Sequence, residues 1–103
     1  MTAKYLLDNV KKKKILILPE SRHDEILKIK GIKILKEDNT YVCNQIRILE
    51  LDKNILTLEF TLNHEVAIRR FKNRKEAEEF VNDRLETYDK MWDGCGCKVD
   101  YYN

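Results

Sequence analysis

Only three glycines and one proline occur in this chain. So few glycines are poor material for a catalytic loop scaffold. Glycine-rich phosphate loops, G-x-S-x-G and H-E-x-x-H are all absent. Three cysteines are an odd number and give no disulfide framework; they are expected to be reduced thiols. No apolar run approaches the ~18 residues that would span a bilayer. The opening Met1-Thr2-Ala3-Lys4-Tyr5-Leu6-Leu7-Asp8 has no long apolar stretch and no small-residue cleavage pattern, so no signal peptide is expected. Together these absences lead to the expectation of a cytoplasmic, non-membrane, non-enzymatic chain with no resident cofactor.

What is present in excess is charge. Charged residues reach 37% against a typical ~25%, which favours a well-solvated surface. The length of 103 residues fits one domain over 1–103, and such a chain buries about 60–70% of its unfolded surface. The net charge of +2 is unevenly spread. Residues 1–36 hold ten Lys/Arg against four Asp/Glu, a net +6; residues 37–103 hold ten against fourteen, a net −4. That asymmetry points to an acidic partner.

Along the chain, residues 2–9 carry at most a short helical turn. Ile15-Leu16-Ile17-Leu18, flanked by Lys11–Lys14 and stopped by Pro19, reads as a buried strand. Residues 21–30 fit either a helix, capped by Ser21 with Ile26, Leu27 and Ile29 inward, or a strand; the helix, ending at Gly31, is the preferred reading. Ile32 and Ile34 then alternate with Lys33, and Glu37-Asp38-Asn39 makes a turn. Residues 40–51 are strand with a phase slip that predicts a bulge near Asn44-Gln45, and Asp52-Lys53-Asn54 is the next turn. Leu56, Leu58, Phe60 and Leu62 alternate with Thr57, Glu59 and Thr61, the period of a half-buried antiparallel strand. Asn63-His64-Glu65 turns the chain into Val66–Phe71.

Residues 74–92 read as a long helix. Ala77, Phe80, Val81, Leu85, Tyr88, Met91 and Trp92 form one stripe that would cover the apolar face of the sheet. Asn73 is a good N-cap with Glu76 as its capping-box partner, and Gly94 a plausible stop. Lys75–Glu79 and Glu86–Lys90 have i,i+4 spacing. The predicted fold is α+β: an antiparallel meander of four or five strands covered by one long C-terminal amphipathic helix, with a short helix near residues 21–30.

The stretch Val66-Ala67-Ile68-Arg69-Arg70-Phe71-Lys72-Asn73-Arg74-Lys75-Glu76-Ala77-Glu78-Glu79-Phe80 resembles the second half of a pleckstrin-homology-like domain. The resemblance is architectural and implies antiparallel strands closed by a helix, with Phe80 where that family usually carries an inner Trp. Cys43 with the Cys95-Gly96-Cys97 pair resembles the A-type iron–sulfur carriers, which implies metal handling by thiols.

Four groups are candidates for function. Cys95 and Cys97 could close a strained disulfide or offer two soft metal ligands, with Cys43, Asp93, Asp100, His23 and His64 as helpers for the three or four that a site needs. The competing reading is a tail whose cysteines pack as small hydrophobes. Lys11, Lys12, Lys13 and Lys14 could neutralise nucleic-acid phosphates, extended by Lys28, Lys30, Lys33 and Lys36; the competing reading is a solvated guard against edge-to-edge sheet association. Trp92, Tyr101 and Tyr102 would be aromatic anchors for a protein partner, unless Trp92 simply closes the core. His23-Asp24-Glu25, His64-Glu65 and a Cys43–His64 pair have acid–base side chains, but they fall at expected turns and lack an oxyanion-hole motif. The preferred expectation is a small binding or inhibitory module acting on a protein partner. The alternatives are a nucleic-acid-associated protein and a thiol or metal-handling protein, and an open strand edge could admit a second copy of the chain.

Overall fold

Thr2 begins the first helix. Its Oγ1 accepts a hydrogen bond from the Tyr5 amide at 3.1 Å, and helix α1 runs Ala3–Lys13. Ala3, Leu6, Leu7 and Val10 share its inner face, and the last three are buried. Lys11, Lys12 and Lys13 occupy the last turn, where cations favour the negative end of the helix dipole. The expected short turn is thus an 11-residue helix, whose lysines are its C-terminal end. The computed structural model describes residues 1–40, 45–61 and 63–91, with the backbone alone at Met91.

After α1 the order is β1 (Ile15–Pro19), a 3-10 turn (Glu20–Arg22), α2 (His23–Leu27), β2 (Lys33–Asp38), β3 (Ile46–Leu51), β4 (Asn54–Phe60), β5 (Glu65–Phe71) and α3 (Arg74–Met91). The helical reading of residues 21–30 holds for α2, although no side chain caps it. Gly31, at φ +91°, reverses the chain after it. The strands form one antiparallel sheet in the order β1-β5-β4-β3-β2. β2 to β5 are the predicted meander, and β1 adds beside β5. β1 is therefore an edge strand rather than a buried one: Leu16 and Leu18 are buried, whereas Ile17 is 42% exposed. The bulge expected near Asn44-Gln45 falls largely on residues outside those described, while β2 carries a register shift between Ile34 and Lys36. The sheet is open, with edges at β1 and β2, so the pleckstrin-homology-like barrel does not form among the described residues.

Both faces of the sheet are covered. Leu49, Leu51, Leu56, Leu58, Val66 and Ile68 pack with Leu16 and Leu18 against Leu6, Leu7 and Val10 of α1 and Ile26 and Ile29 on and just after α2. Ile46, Ile48 and Ile55 on the opposite face pack against Ala77 and Val81 of α3, with Leu35, Phe71, Phe80 and Leu85 alongside. The leucine face of β4 thus lies under α1 and α2, and α3 covers the face that carries Thr57 and Glu59. The physical reason is the supply of apolar surface. Leu6, Leu7 and Val10 of α1, Ile26 of α2 and Ile29 just after it supply five buried aliphatic side chains to the leucine face, whereas α3 brings Arg84 to the face that carries Glu59.

Glu59 is consequently buried to 1% exposure. Arg69 Nη1 donates to its Oε1 and Arg84 Nε to its Oε2, each at 2.7 Å. Arg69 comes from the neighbouring strand, where it is paired with Thr57 and diagonal to Glu59. Arg84 comes from α3, in the middle of its inner stripe. The guanidinium of Arg69 lies over the Phe80 ring at 4.8 Å and that of Arg84 over Tyr88 at 5.2 Å. At the start of α3, Asn73 Oδ1 accepts from the Glu76 amide at 2.9 Å, as the cap predicts. The Glu76 carboxylate reaches back to the Lys72 amide at 3.3 Å. The i,i+4 pair that closes is Arg74–Glu78; Lys75–Glu79 and Glu86–Lys90 do not, among the described residues. Gly94 lies outside those residues.

Thr57 is fully buried, and its Oγ1 has no hydrogen-bond partner among the described residues. Thr57→Val is expected to raise stability by about 1 kcal/mol, because an unpaired buried hydroxyl is removed; a loss in urea unfolding would show that the hydroxyl is satisfied. In the β3–β4 turn Asp52 and Lys53 both have positive φ, 47° and 66°, the signature of a type I′ hairpin, which prefers glycine. Lys53→Gly should stabilise by about 0.5 kcal/mol, since relief of left-handed strain exceeds the added freedom of the unfolded chain. A lower urea midpoint would contradict that turn assignment.

Candidate binding site

The sheet topology decides which cations meet. α1 ends where β1 begins, and β1 pairs antiparallel with β5 with Ile15 opposite Arg69. Lys14 therefore sits beside Arg70 at the end of that ladder. Continuing β5 leads to Lys72, and β4 begins at the Asp52-Lys53 turn, where Arg70 Nε donates to Asn54 Oδ1 at 2.9 Å. Lys11, Lys12, Lys13, Lys14, Lys53, Arg70 and Lys72 thus gather at one end of the sheet, all of them exposed. None of these seven makes an ion pair among the described residues.

At the other end of the strands lie Glu20, Asp24, Glu25, Glu37, Asp38 and Glu65, with Arg22 and Arg47 held in pairs to Glu25 and Glu37. The charge imbalance along the sequence thus becomes a separation of charge along the strands. Lys33 belongs to the other edge: it starts β2, pairs with Glu50, and stands four strands from β1. At about 4.8 Å per strand that is roughly 19 Å away. Lys33 and Lys36, both on β2, therefore do not extend the Lys11–Lys14 patch across β1. Its extension comes from Lys53, Arg70 and Lys72, which reasoning along the chain misses because only the β1–β5 and β4–β5 pairings bring them there.

His23 is mostly buried and has a defined set of partners. Arg47 Nη1 lies 2.8 Å from its Nε2, Asp24 Oδ1 lies 3.2 Å from its Nδ1, and the ring packs on Phe60 with centroids 4.7 Å apart. A guanidinium only donates, so Nε2 is the acceptor and the ring proton sits on Nδ1, facing Asp24. Arg47 Nε also donates to Glu37 Oε1 at 2.9 Å. With both ring nitrogens engaged, this network ties α2 to β2 and β3 and leaves no free base. His64 is the reverse case: its side chain is 91% exposed, 3.3 Å from Glu20 Oε2, at a turn position with φ 59°. No group of three or more His, Cys, Asp or Glu is arranged to hold a metal among the described residues.

Cys43, Cys95, Cys97, Trp92, Tyr101 and Tyr102, with Asp93 and Asp100, lie outside the described residues. No described helix is long and apolar enough to cross a membrane. Comparison with models of known families, with curated proteins and with solved structures gave no match.

Proposed function

We propose that the chain is a non-catalytic binding module that docks an acidic surface of a protein partner through the cationic end of its sheet. The observation that carries this reading is the gathering of Lys11–Lys14 with Lys53, Arg70 and Lys72, none of them ion-paired among the described residues. Exposed cations held on the ends of packed elements form a field that steers an oppositely charged partner. Nucleic acid is the weaker occupant. Base stacking on single strands needs aromatic platforms, and Tyr5, 47% exposed, is the only described aromatic left so open. The acidic opposite end and the net charge of +2 also suit an oriented protein contact better than a polyanion that would run the length of the molecule. The cysteines fit a reducing, cytoplasmic setting, in which they stay thiols.

The test is affinity capture from nuclease-treated native extract with wild type and with Lys11→Ala, Lys12→Ala, Lys13→Ala and Lys14→Ala combined. The expected result is a stoichiometric protein companion that the quadruple variant binds at least about tenfold more weakly. Raising salt to ~0.5 M should release it, because exposed charge contacts are screened. A companion that the variant keeps, or one lost on nuclease treatment, overturns the reading.

A further inference from the structure

The two edges of the sheet are built differently. β2 is guarded. Lys33 and Lys36 stand along it, and the register shift between Ile34 and Lys36 interrupts its pairing with β3; such features discourage strand addition. β1 has neither a charge nor a register shift, and its one guard is Pro19 at its end. Its ladder with β5 is regular over all five residues, and Ile15–Pro19 contains no charge.

The hydrogen-bond phase of β1 shows which main-chain groups are open. Residues in an antiparallel pair alternate between those bonded to the partner and those that turn away from it. The ladder register continues to place Glu20 opposite His64, and the Glu20 amide donates to the His64 carbonyl at 2.9 Å. Leu16, Leu18 and Glu20 are therefore in the bonded phase. Ile15, Ile17 and Pro19 point their main-chain groups to the open side, where no further strand stands among the described residues. Pro19 lacks an N–H, so its place in the outward phase costs the β1–β5 ladder nothing.

We propose that β1 pairs antiparallel with β1 of a second copy of this chain, about a twofold axis at Ile17. That register is self-complementary in three respects. The Ile17 amide donates to the Ile17 carbonyl of the second copy, and the reverse. The Ile15 amide donates to the Pro19 carbonyl, so that the missing proline donor leaves only an Ile15 carbonyl unmatched on each side. Lys14, the C-cap of α1, and Glu20, the first residue of the 3-10 turn, flank β1, so the same register brings the Lys14 end of each copy to the Glu20 end of the other, one cation beside one anion at each end of the paired segment. Their exposure supports this: both are solvent-facing, and Lys14 has no ion pair among the described residues. The side chains agree as well. Ile17, 42% exposed, and Ile15 lie on the α3 side of the sheet, where α3 packs on β3, β4 and β5. Pairing would set Ile17 against Ile17 and Ile15 against Pro19, and so cover the exposed apolar surface of the edge. On the other face α1 lies over β1 and β5, beside the edge strand it covers.

A contact of one short strand per copy is small, so the pair should dissociate on dilution. The test is sedimentation of the full chain over a wide concentration range. Wild type is expected to pass from monomer to dimer. Ile17→Lys should hold it monomeric with an unchanged circular dichroism spectrum. Glu20→Lys and Lys14→Glu should each weaken association roughly tenfold, since each creates two like-charge contacts about the axis, and the two together should restore it. A wild type that stays monomeric at every concentration, a dimer that Ile17→Lys leaves intact, or a charge swap that fails to restore association overturns the proposal. If Ile17→Lys misfolds, the charge-swap set decides alone, because Lys14 and Glu20 are exposed.

Discussion

A carboxylate cut off from water fixes how this molecule is layered. Taking an ion out of water costs several kcal/mol even after the protein relaxes, and only well-directed partners offset that cost. Glu59 has two, both at 2.7 Å and each on a different oxygen. Arg69 joins it to β5, within the sheet, and Arg84 joins it to α3. Charge-assisted bonds of this length are directional, so they fix both the rotation of α3 and its position along the strands. The aliphatic contacts of Ala77 and Val81 alone would tolerate small slides of the helix. Each guanidinium also packs on an aromatic ring of α3, which keeps the arginines in the one orientation that serves the carboxylate.

The placement of α3 leaves the leucine face to α1 and α2, and this in turn places the cationic end. Because Leu6, Leu7 and Val10 hold α1 to that face, its C-terminal lysines emerge where β1 starts and β5 ends. Packing in the core thus determines which charges become neighbours on the surface. The edge strands follow from the same layout. β1 can be apolar on one side because α1 covers it, yet among the described residues no strand pairs with its outer edge and Ile17, on the side away from α1, is exposed.

Some of this was legible in the sequence. The alternation of Leu56, Leu58 and Phe60 and the stripe through Ala77, Val81 and Tyr88 are local periodicities. The Asn73 cap is a local hydrogen bond. Each of these is set by neighbours within a few residues, and each forms. What was not legible depends on pairing between distant segments. Glu59 alternates with leucines and so reads as a solvent-facing residue; only a second covering helix makes that face interior. Arg84 interrupts an apolar stripe and reads as a boundary residue, although its guanidinium completes the buried network. α1 was obscured because four lysines at its end look like a lead-in, while the inner-face spacing of Ala3, Leu6, Leu7 and Val10 was the available signal. In the binding site, Lys11–Lys14 stood out as a run. Arg70, Lys72 and Lys53 did not, since nothing in the linear sequence indicates that β1 lies beside β5.

The layering depends most on Glu59 fastening α3 to the sheet through Arg84. The direct measurement is a double-mutant cycle in urea unfolding with Glu59→Gln, Arg84→Met and the two combined. A fastening ion pair predicts strong coupling: the double variant should be less destabilised than the sum of the singles by about 1.5 kcal/mol or more, because each single change leaves the other charge short of a partner. Effects that add to within about 0.5 kcal/mol would contradict it and show that apolar contacts alone hold the helix in place.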